Sequence, residues 1–393
     1  MVCAAALVAA CSSNDAAQSS DTDPASADGN SGGTSAVSAV TEPPSTLATT
    51  TTEPPPQQFT VAFSGDVLMH SPLWRRAERY AGGDGMDFRP MFQDIAPLVS
   101  AADLAICHME TPVAPAGVEP QTYPRYAVPA EVIDGIASAG YDRCSTASNH
   151  SMDYGTAGVT ATLEKFDSLG ITYAGTARTA EEAVPTVFEV NGVRISHLSY
   201  TRGFPTVGYP EGQPWWVNNI DVPRILADAQ TARDLGAQIV IVSMHWGTEP
   251  EHVPSPTQRS QAEALAASGL IDLIVGHHTH VVQPIEQING VWTVFGMGNT
   301  ISNMPVGPYP PESQDGVVVE VSFEVAPDGT VTVAAPMVFP TVVDKGNTFE
   351  IKDILRNLAR TDLTPRERAF YEASVARTVE WVGAFIAPQA VSS

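Results

Sequence analysis

Along this chain, short apolar runs end one after another in clusters of polar side chains, and that alternation constrains the fold more than any other feature. "FTVAFSGDVLMH" runs apolar from Phe59 and breaks at Ser64-Gly65-Asp66. "ADLAICHMETP" repeats the device with His108 and Glu110, and "DRCSTASNHSMDYG" with Asn149, His150 and Asp153. "AQIVIVSMHWG" carries His245, and "LIDLIVGHHTH" carries His277, His278 and His280. Such runs predict buried strands. Between them, "AGVTATLEKFDSLG" places Val159, Leu163, Phe166 and Leu169 on one helical face with Gly170 as its stop, and "SPTQRSQAEALAASG" opens on a Ser-Pro start. Asn191-Gly192 and Asp328-Gly329 predict hairpin turns. Strands alternating with helices predict an α/β layered fold rich in parallel sheet. In open α/β sheets, ligands sit beyond the carboxyl ends of the strands. Five polar loops are therefore expected at one edge.

The amino end differs in kind. Residues 1–11 read as a signal peptide with a lipobox, "LVAAC", in which Cys11 would be lipidated. The run is short and lacks a basic start; a translation start upstream of Met1 would account for both, and an Ala-rich tail with an incidental cysteine is the other reading. Residues 12–58, built from Ser, Thr, Ala, Pro, Gly and Asp, cannot bury enough apolar surface to offset chain entropy and read as a disordered tether. Residues 59–345 are expected to form the folded domain, and 346–393 a helical extension holding the amphipathic "TPRERAFYEASVARTVEWVGAFI". No later stretch has the 18 or more apolar residues of a membrane span. Tether and lipid together predict an exported protein on the outer face of the cytoplasmic membrane. Lys and Arg number 20 against 44 Asp and Glu, a net charge of −24. That field argues against nucleic acid as a partner.

The loop residues share one chemistry. Carboxylate oxygens, imidazole nitrogens and an amide oxygen suit borderline divalent cations such as Zn²⁺, Mn²⁺ or Fe²⁺. Without a cation, converging groups of this kind would be costly to desolvate. The donors outnumber what one tetrahedral ion accepts and fit two ions sharing a carboxylate. His70 reads equally as ligand or as hydrogen-bonded core group, whereas His197 and His252 read as core. Cys107 and Cys144 each close a strand-like segment; a disulfide and two buried thiols are both open.

Taken in order, "GDVLMH", "ICHMETP", "ASNHSMDYG", "SYTRGF", "HWGTEP" and "GHHTHVVQPIE…GMGN" resemble the bacterial capsule-synthesis family known as CapA or PgsA, tied to poly-γ-glutamate. The family is similar to calcineurin-like metallophosphoesterases, which implies a four-layer α/β/β/α sandwich with two metals on strand-end loops. Carried over, the resemblance makes Asp66, His108, Glu110, Asn149, His245, His278 and His280 the metal ligands, with Glu110 bridging. It makes His150 the acid or base, with Asp153 beside it, and leaves Arg125, Glu249 and His277 as candidate substrate contacts or braces. The Asp-x-His opening common among phosphoesterases is absent at Asp66-Val67-Leu68. The implied function is a surface lipoprotein acting on a cell-envelope polymer or its precursor by metal-dependent hydrolysis, beside synthase or export subunits. A non-catalytic assembly role and an extracellular metallophosphatase are the alternatives.

Overall fold

The computed structural model describes residues 54–203, 208, 210–305, 310–346 and 348–388. The proposed lipobox and nearly all of the tether lie outside them. The first strand, β1 (Gln57–Val67), starts two residues before Phe59. Helices α1 (Ser71–Tyr80), α2 (Arg89–Phe92) and α3 (Ala96–Val99) then lead to β2 (Leu104–Met109). Next come α4 (Val132–Ser138), β3 (Arg143–Ser145), α5 (Gly155–Leu169), β4 (Thr172–Ala174), β5 (Phe188–Val190) and β6 (Val193–Thr201). The order continues α6 (Val222–Asp234), β7 (Ile239–His245), α7 (Pro256–Ala266), β8 (Leu273–His277), β9 (Ile285–Ile288), β10 (Val291–Val294) and β11 (Asn299–Ile301). The chain closes with β12 (Asp315–Val325), β13 (Val331–Val333), β14 (Met337–Val343), β15 (Ile351–Asp353), α8 (Ile354–Leu358) and α9 (Pro365–Val382).

Among the described residues these strands form two sheets. One has nine strands, ordered β15-β14-β12-β1-β2-β3-β4, with β11 added to β1 and β13 to β12; the other has six, ordered β5-β6-β7-β8-β10-β9. Strands β1 to β4 run parallel, as do β6, β7, β8 and β10. The pleat sends alternate residues to opposite faces, and the burial follows it. Phe59, Val61 and Phe63 of β1 pack with Ile239 and Ile241 of β7 in a core between the sheets. Ala62, Ala105 and Cys107 meet α1, α4 and α5 on one outer face. Val240, Val242 and Ile274 meet α6 and α7 on the other. The result is the expected helix–sheet–sheet–helix layering.

Local chemistry sets the boundaries. Ser255 caps α7 and Gln258 reaches back to complete the box, with Pro256 next in line; Thr364 and Glu367 do the same for α9. Gly170 ends α5 in a left-handed conformation. That stop turns the chain one residue too soon for Leu169, which is 38% exposed rather than buried as the periodicity suggested. The segment past 345 is not only helical, because β15 pairs antiparallel with β14. Arg377 on α9 grips the buried Asp315 carboxylate through two hydrogen bonds, of 2.6 and 2.8 Å, docking that helix on β12.

Cys107 and Cys144 stand opposite each other on β2 and β3 with Cα atoms 4.4 Å apart and are joined by a disulfide. Such a link acts chiefly by restricting the unfolded chain. Replacing both cysteines with alanine is expected to cost about 2–4 kcal/mol, read from urea unfolding without reductant. Identical midpoints would show that the pair is not bonded.

Candidate metal centre

Parallel strands of both sheets deliver their carboxyl ends to one edge, and the candidate donors are carried there. Asp66 follows Gly65, whose missing side chain lets β1 approach the Met297-Gly298 segment. A Cβ on Gly65 would lie 2.0 Å from the Gly298 carbonyl oxygen, and the Asp66 amide donates to that carbonyl at 2.9 Å. His108 pairs in register with Asp66 on one side and Ser145 on the other. Its Nδ1 lies 2.8 Å from Ser145 Oγ, and its Nε2 lies 2.9 Å from His245 Nδ1. His245 Nε2 is in turn 2.9 Å from Asn149 Oδ1.

After β8 the backbone becomes strained. His278 and His280 adopt φ of +88° and +57°, a region that costs a residue with a side chain about 1–3 kcal/mol and persists where its surroundings demand it. The bends bring His280 Nδ1 within 3.2 Å of Asp66 Oδ2 and 3.0 Å of Asn299 Oδ1, and its Nε2 within 3.6 Å of Glu110 Oε1. The His278 amide donates to Asp66 Oδ2 at 3.1 Å. Its ring Nε2 faces Arg202 Nη1 at 3.1 Å, and its Nδ1 lies 3.5 Å from Glu249 Oε1.

Two groups of three donors result: Asp66, His108 and His245, and Glu110, His278 and His280, the donor atoms of each lying within 4.8 Å of one another. Within them Asp66 Oδ1, both Glu110 carboxylate oxygens and His278 Nδ1 are buried with no hydrogen-bond partner among the described residues. Buried polar atoms are almost always paired. A divalent cation is the partner that carboxylate oxygen and imidazole nitrogen have in common, so these residues fit one ion per group. Protonation agrees. Burial, reinforced by neighbouring histidines, holds His108 and His245 far below the ordinary imidazole range, and burial with His280 and Arg202 pulls His278 down to about 3. Neutral rings are the ligand form. Burial alone would depress His280 too, but Glu110 and Asp66 raise it to about 10. Burial would raise Asp66, yet the rings of His277 and His280 close to its two oxygens hold it well below the usual carboxylate range. Glu110, with burial dominant, is pushed well above it.

The other candidates surround this cluster. His277, whose two ring nitrogens also lack hydrogen-bond partners, is buried and stacks on His108 at 4.0 Å, with Nδ1 3.4 Å from Asp66 Oδ1. It lies inside the donor cluster, not on an approach route for substrate. Half-buried His150 places Nδ1 2.7 Å from Asp153 Oδ2, which also accepts the Tyr126 amide at 2.8 Å. Exposed Arg125 donates Nε–H to the Asp153 carbonyl at 2.9 Å and lies over the Tyr154 ring, bracing that loop. Glu249, 28% exposed, forms part of the rim. His70 contacts the Tyr126 hydroxyl at 3.2 Å and accepts the Asn303 amide at 3.2 Å; burial lowers it to about 4, and it belongs to neither donor group. His197 and His252 are hydrogen-bonded within the body. Asn299 and Arg202 are the residues that sequence reasoning missed. Their signals were an Asn after Gly at a strand start and the Arg of "SYTRGF".

The family described as bacterial capsule synthesis protein PGA_cap matches residues 60–304, the segment that holds every donor above. The chain belongs to this family of bacterial capsule synthesis proteins. It is 30% identical over 260 residues to the PGA biosynthesis protein CapA of Bacillus subtilis, covering 62% of this chain and 63% of that protein. It is 27% identical over 255 residues to the capsule biosynthesis protein CapA of Bacillus anthracis, covering 62% and 60%. The chain thus spans about three fifths of the length of the curated relatives it matches. Among solved structures it is similar to the calcineurin-like phosphoesterase YfkN of Bacillus subtilis, at 16% identity and a TM-score of 0.43 over 83% of this chain and 99% of that one. It is also similar to the NAD nucleotidase of Haemophilus influenzae, at 11% identity and a TM-score of 0.45 over 86% and 65%.

Glu110→Gln removes a buried carboxylate that lacks a hydrogen-bond partner. Its metal-free stability is expected to fall by less than a fully broken buried ion pair would cost, because Asp66 remains 3.2 Å from His280 and the desolvation cost of the Glu110 carboxylate is removed. Manganese at a hundredfold excess over its Kd should stabilise the wild type by about 2.7 kcal/mol and the variant far less. Calorimetry with chelator and with Mn²⁺ or Zn²⁺ checks both, and a wild type indifferent to either ion contradicts the assignment.

Proposed function

We propose that this protein is a surface-anchored, metal-dependent hydrolase of the CapA type, cleaving phosphoester or γ-glutamyl amide bonds in a capsule polymer or its precursor. The observation that carries this reading is the pair of donor groups with orphaned carboxylate oxygens, set beside the His150–Asp153 pair. Asp66, His108 and His245 would hold one divalent cation and Glu110, His278 and His280 a second, with Asn149 facing His245. Bound there, the cations supply Lewis acidity toward a phosphoryl or carbonyl oxygen. They also bring positive charge to a body whose overall field repels an anionic polymer.

The chain's own groups do the rest. Asp153 fixes the His150 ring through Nδ1, which leaves Nε2 to give a proton to the departing group. Arg125 holds the Asp153 carbonyl and so the loop that presents His150. The Arg202 guanidinium hydrogen-bonds to Gly247 O at 2.6 Å and stands against His278, where it can orient an anionic substrate at the rim. Lipid on Cys11 and the tether after it would keep this body at the outer membrane face, near synthase or export subunits. Cys11→Ser in the full-length gene product is expected to release the protein from membrane fractions; a wild type already soluble contradicts the anchor.

Turnover is tested with a phosphodiester, a phosphomonoester and a γ-glutamyl peptide in the presence of Mn²⁺ or Zn²⁺. One of the three is expected to be cleaved. His150→Ala should lower kcat by about 10²–10⁴-fold with metal content unchanged, since His150 is in neither donor group. The near-complete burial of Asp66, His108 and Glu110 favours one second reading, an assembly component that binds without turnover. It predicts inactivity on all three substrates and His150→Ala cells that still make capsule.

A further inference from the structure

Away from the metal centre, a cavity of about 540 Å³ lies where the edge strands β4 and β5 leave a gap between the two sheets. None of Asp66, His108, Glu110, His245, His278 or His280 lines it. Its polar wall is Arg143, the first residue of β3, only 4% exposed. Arg143 Nε–H donates to His197 Nδ1 at 3.1 Å, and the guanidinium carbon lies 4.8 Å from the Phe188 ring centroid. No carboxylate among the described residues forms an ion pair with it, and its two Nη groups make no hydrogen bond to a described protein atom. Burial lowers Arg143 to about 10, which leaves it charged at neutral pH. Burial, then Arg143 itself, keeps His197 neutral, and His197 Nε2 is occupied by Ser243 Oγ at 2.9 Å. A largely buried guanidinium with no carboxylate against it is costly to hold.

Two more unpaired buried groups share the cavity wall, Ser199 Oγ and Trp215 Nε1. The acids that line it are already paired. Asp167 and Glu182 bind Arg178, and Asp228 binds Arg224 and the Tyr200 hydroxyl. Each of these acids thus faces an arginine other than Arg143, which has no carboxylate of its own among the described residues, and Phe188, Val184 and Ile171 supply an apolar remainder. The volume falls in the range of small-molecule sites. We propose that this inter-sheet cavity is a second ligand site, in which the Arg143 guanidinium and Ser199 Oγ–H bind the carboxylate of an organic monoanion whose apolar body rests on Phe188. A phosphate dianion would bring two negative charges to a wall that already holds Asp167, Glu182 and Asp228.

The test uses the whole protein and three probes followed by titration calorimetry: benzoate, its uncharged isostere benzamide, and inorganic phosphate. Benzoate is expected to bind saturably at one per chain, with benzamide and phosphate at least about tenfold weaker. Arg143→Gln should weaken benzoate by about tenfold or more. Ala183→Phe, which fills the cavity from its loop and leaves Arg143 in place, should abolish binding; it decides the matter if the arginine variant fails to fold. No benzoate binding, benzamide binding as tight as benzoate, tighter binding of phosphate, or benzoate affinity untouched by Ala183→Phe would each overturn the proposal.

Discussion

Asp66 and Glu110 are kept out of water where two sheets end together, and most of the surrounding structure answers to the cost of holding them there. An ionised carboxylate withdrawn from solvent costs several kcal/mol even after the protein relaxes. Asp66 recovers part of this from the His278 amide and from the rings of His277 and His280. Among the described residues, Glu110 has His280 alone within ion-pair reach and keeps both oxygens without hydrogen bonds. Around them stand the His108 and His245 rings, which burial keeps neutral, and a backbone bent into the left-handed region at both histidines of the H-x-H pair. Each feature is unfavourable by itself. Cations bound between them would offset the cost of the orphaned carboxylate oxygens.

Each donor group also spans both sheets. Asp66 and His108 belong to the first and His245 to the second; Glu110 follows β2, while His278 and His280 follow β8. The distance between ligands is therefore set by the core between the layers, where Phe59, Val61 and Phe63 meet Ile239, Ile241, Leu273 and Val275. Close packing of such a core leaves little freedom to slide. The disulfide between Cys107 and Cys144 fixes β2 against β3 one residue before His108 and Ser145, which themselves pair by hydrogen bond. Packing between sheets, pairing within a sheet and the chemistry of the site are thus one constraint seen at three scales.

Much of this was legible in the chain. A strand buried on both faces leaves a continuous apolar run, so β1, β2, β7 and β8 announced themselves, and polar clusters at their ends marked one edge. Histidine numbers nine in 393 residues, which made three in four positions conspicuous. Less legible was anything decided by contacts distant in sequence. Leu169 fits the helical period of α5, but the stop at Gly170 leaves it half in solvent. Asn299 looks like any turn residue until β11 pairs beside Asp66 and its side chain reaches His280. His277 shares its tripeptide with ligands, and only the stacking on His108 shows where its ring goes. Whether Cys107 and Cys144 were bonded depended on strand register, which spacing does not encode. Arg143 opens a short strand, and its neighbours in sequence do not show that no carboxylate among the described residues faces it.

Crystals grown with Mn²⁺ and measured at the manganese absorption edge test the central claim most directly. Two anomalous peaks are expected at the strand-end edge, one among Asp66, His108 and His245 and one among Glu110, His278 and His280. A map with no peak there, or with manganese bound only at surface carboxylates, would contradict the account.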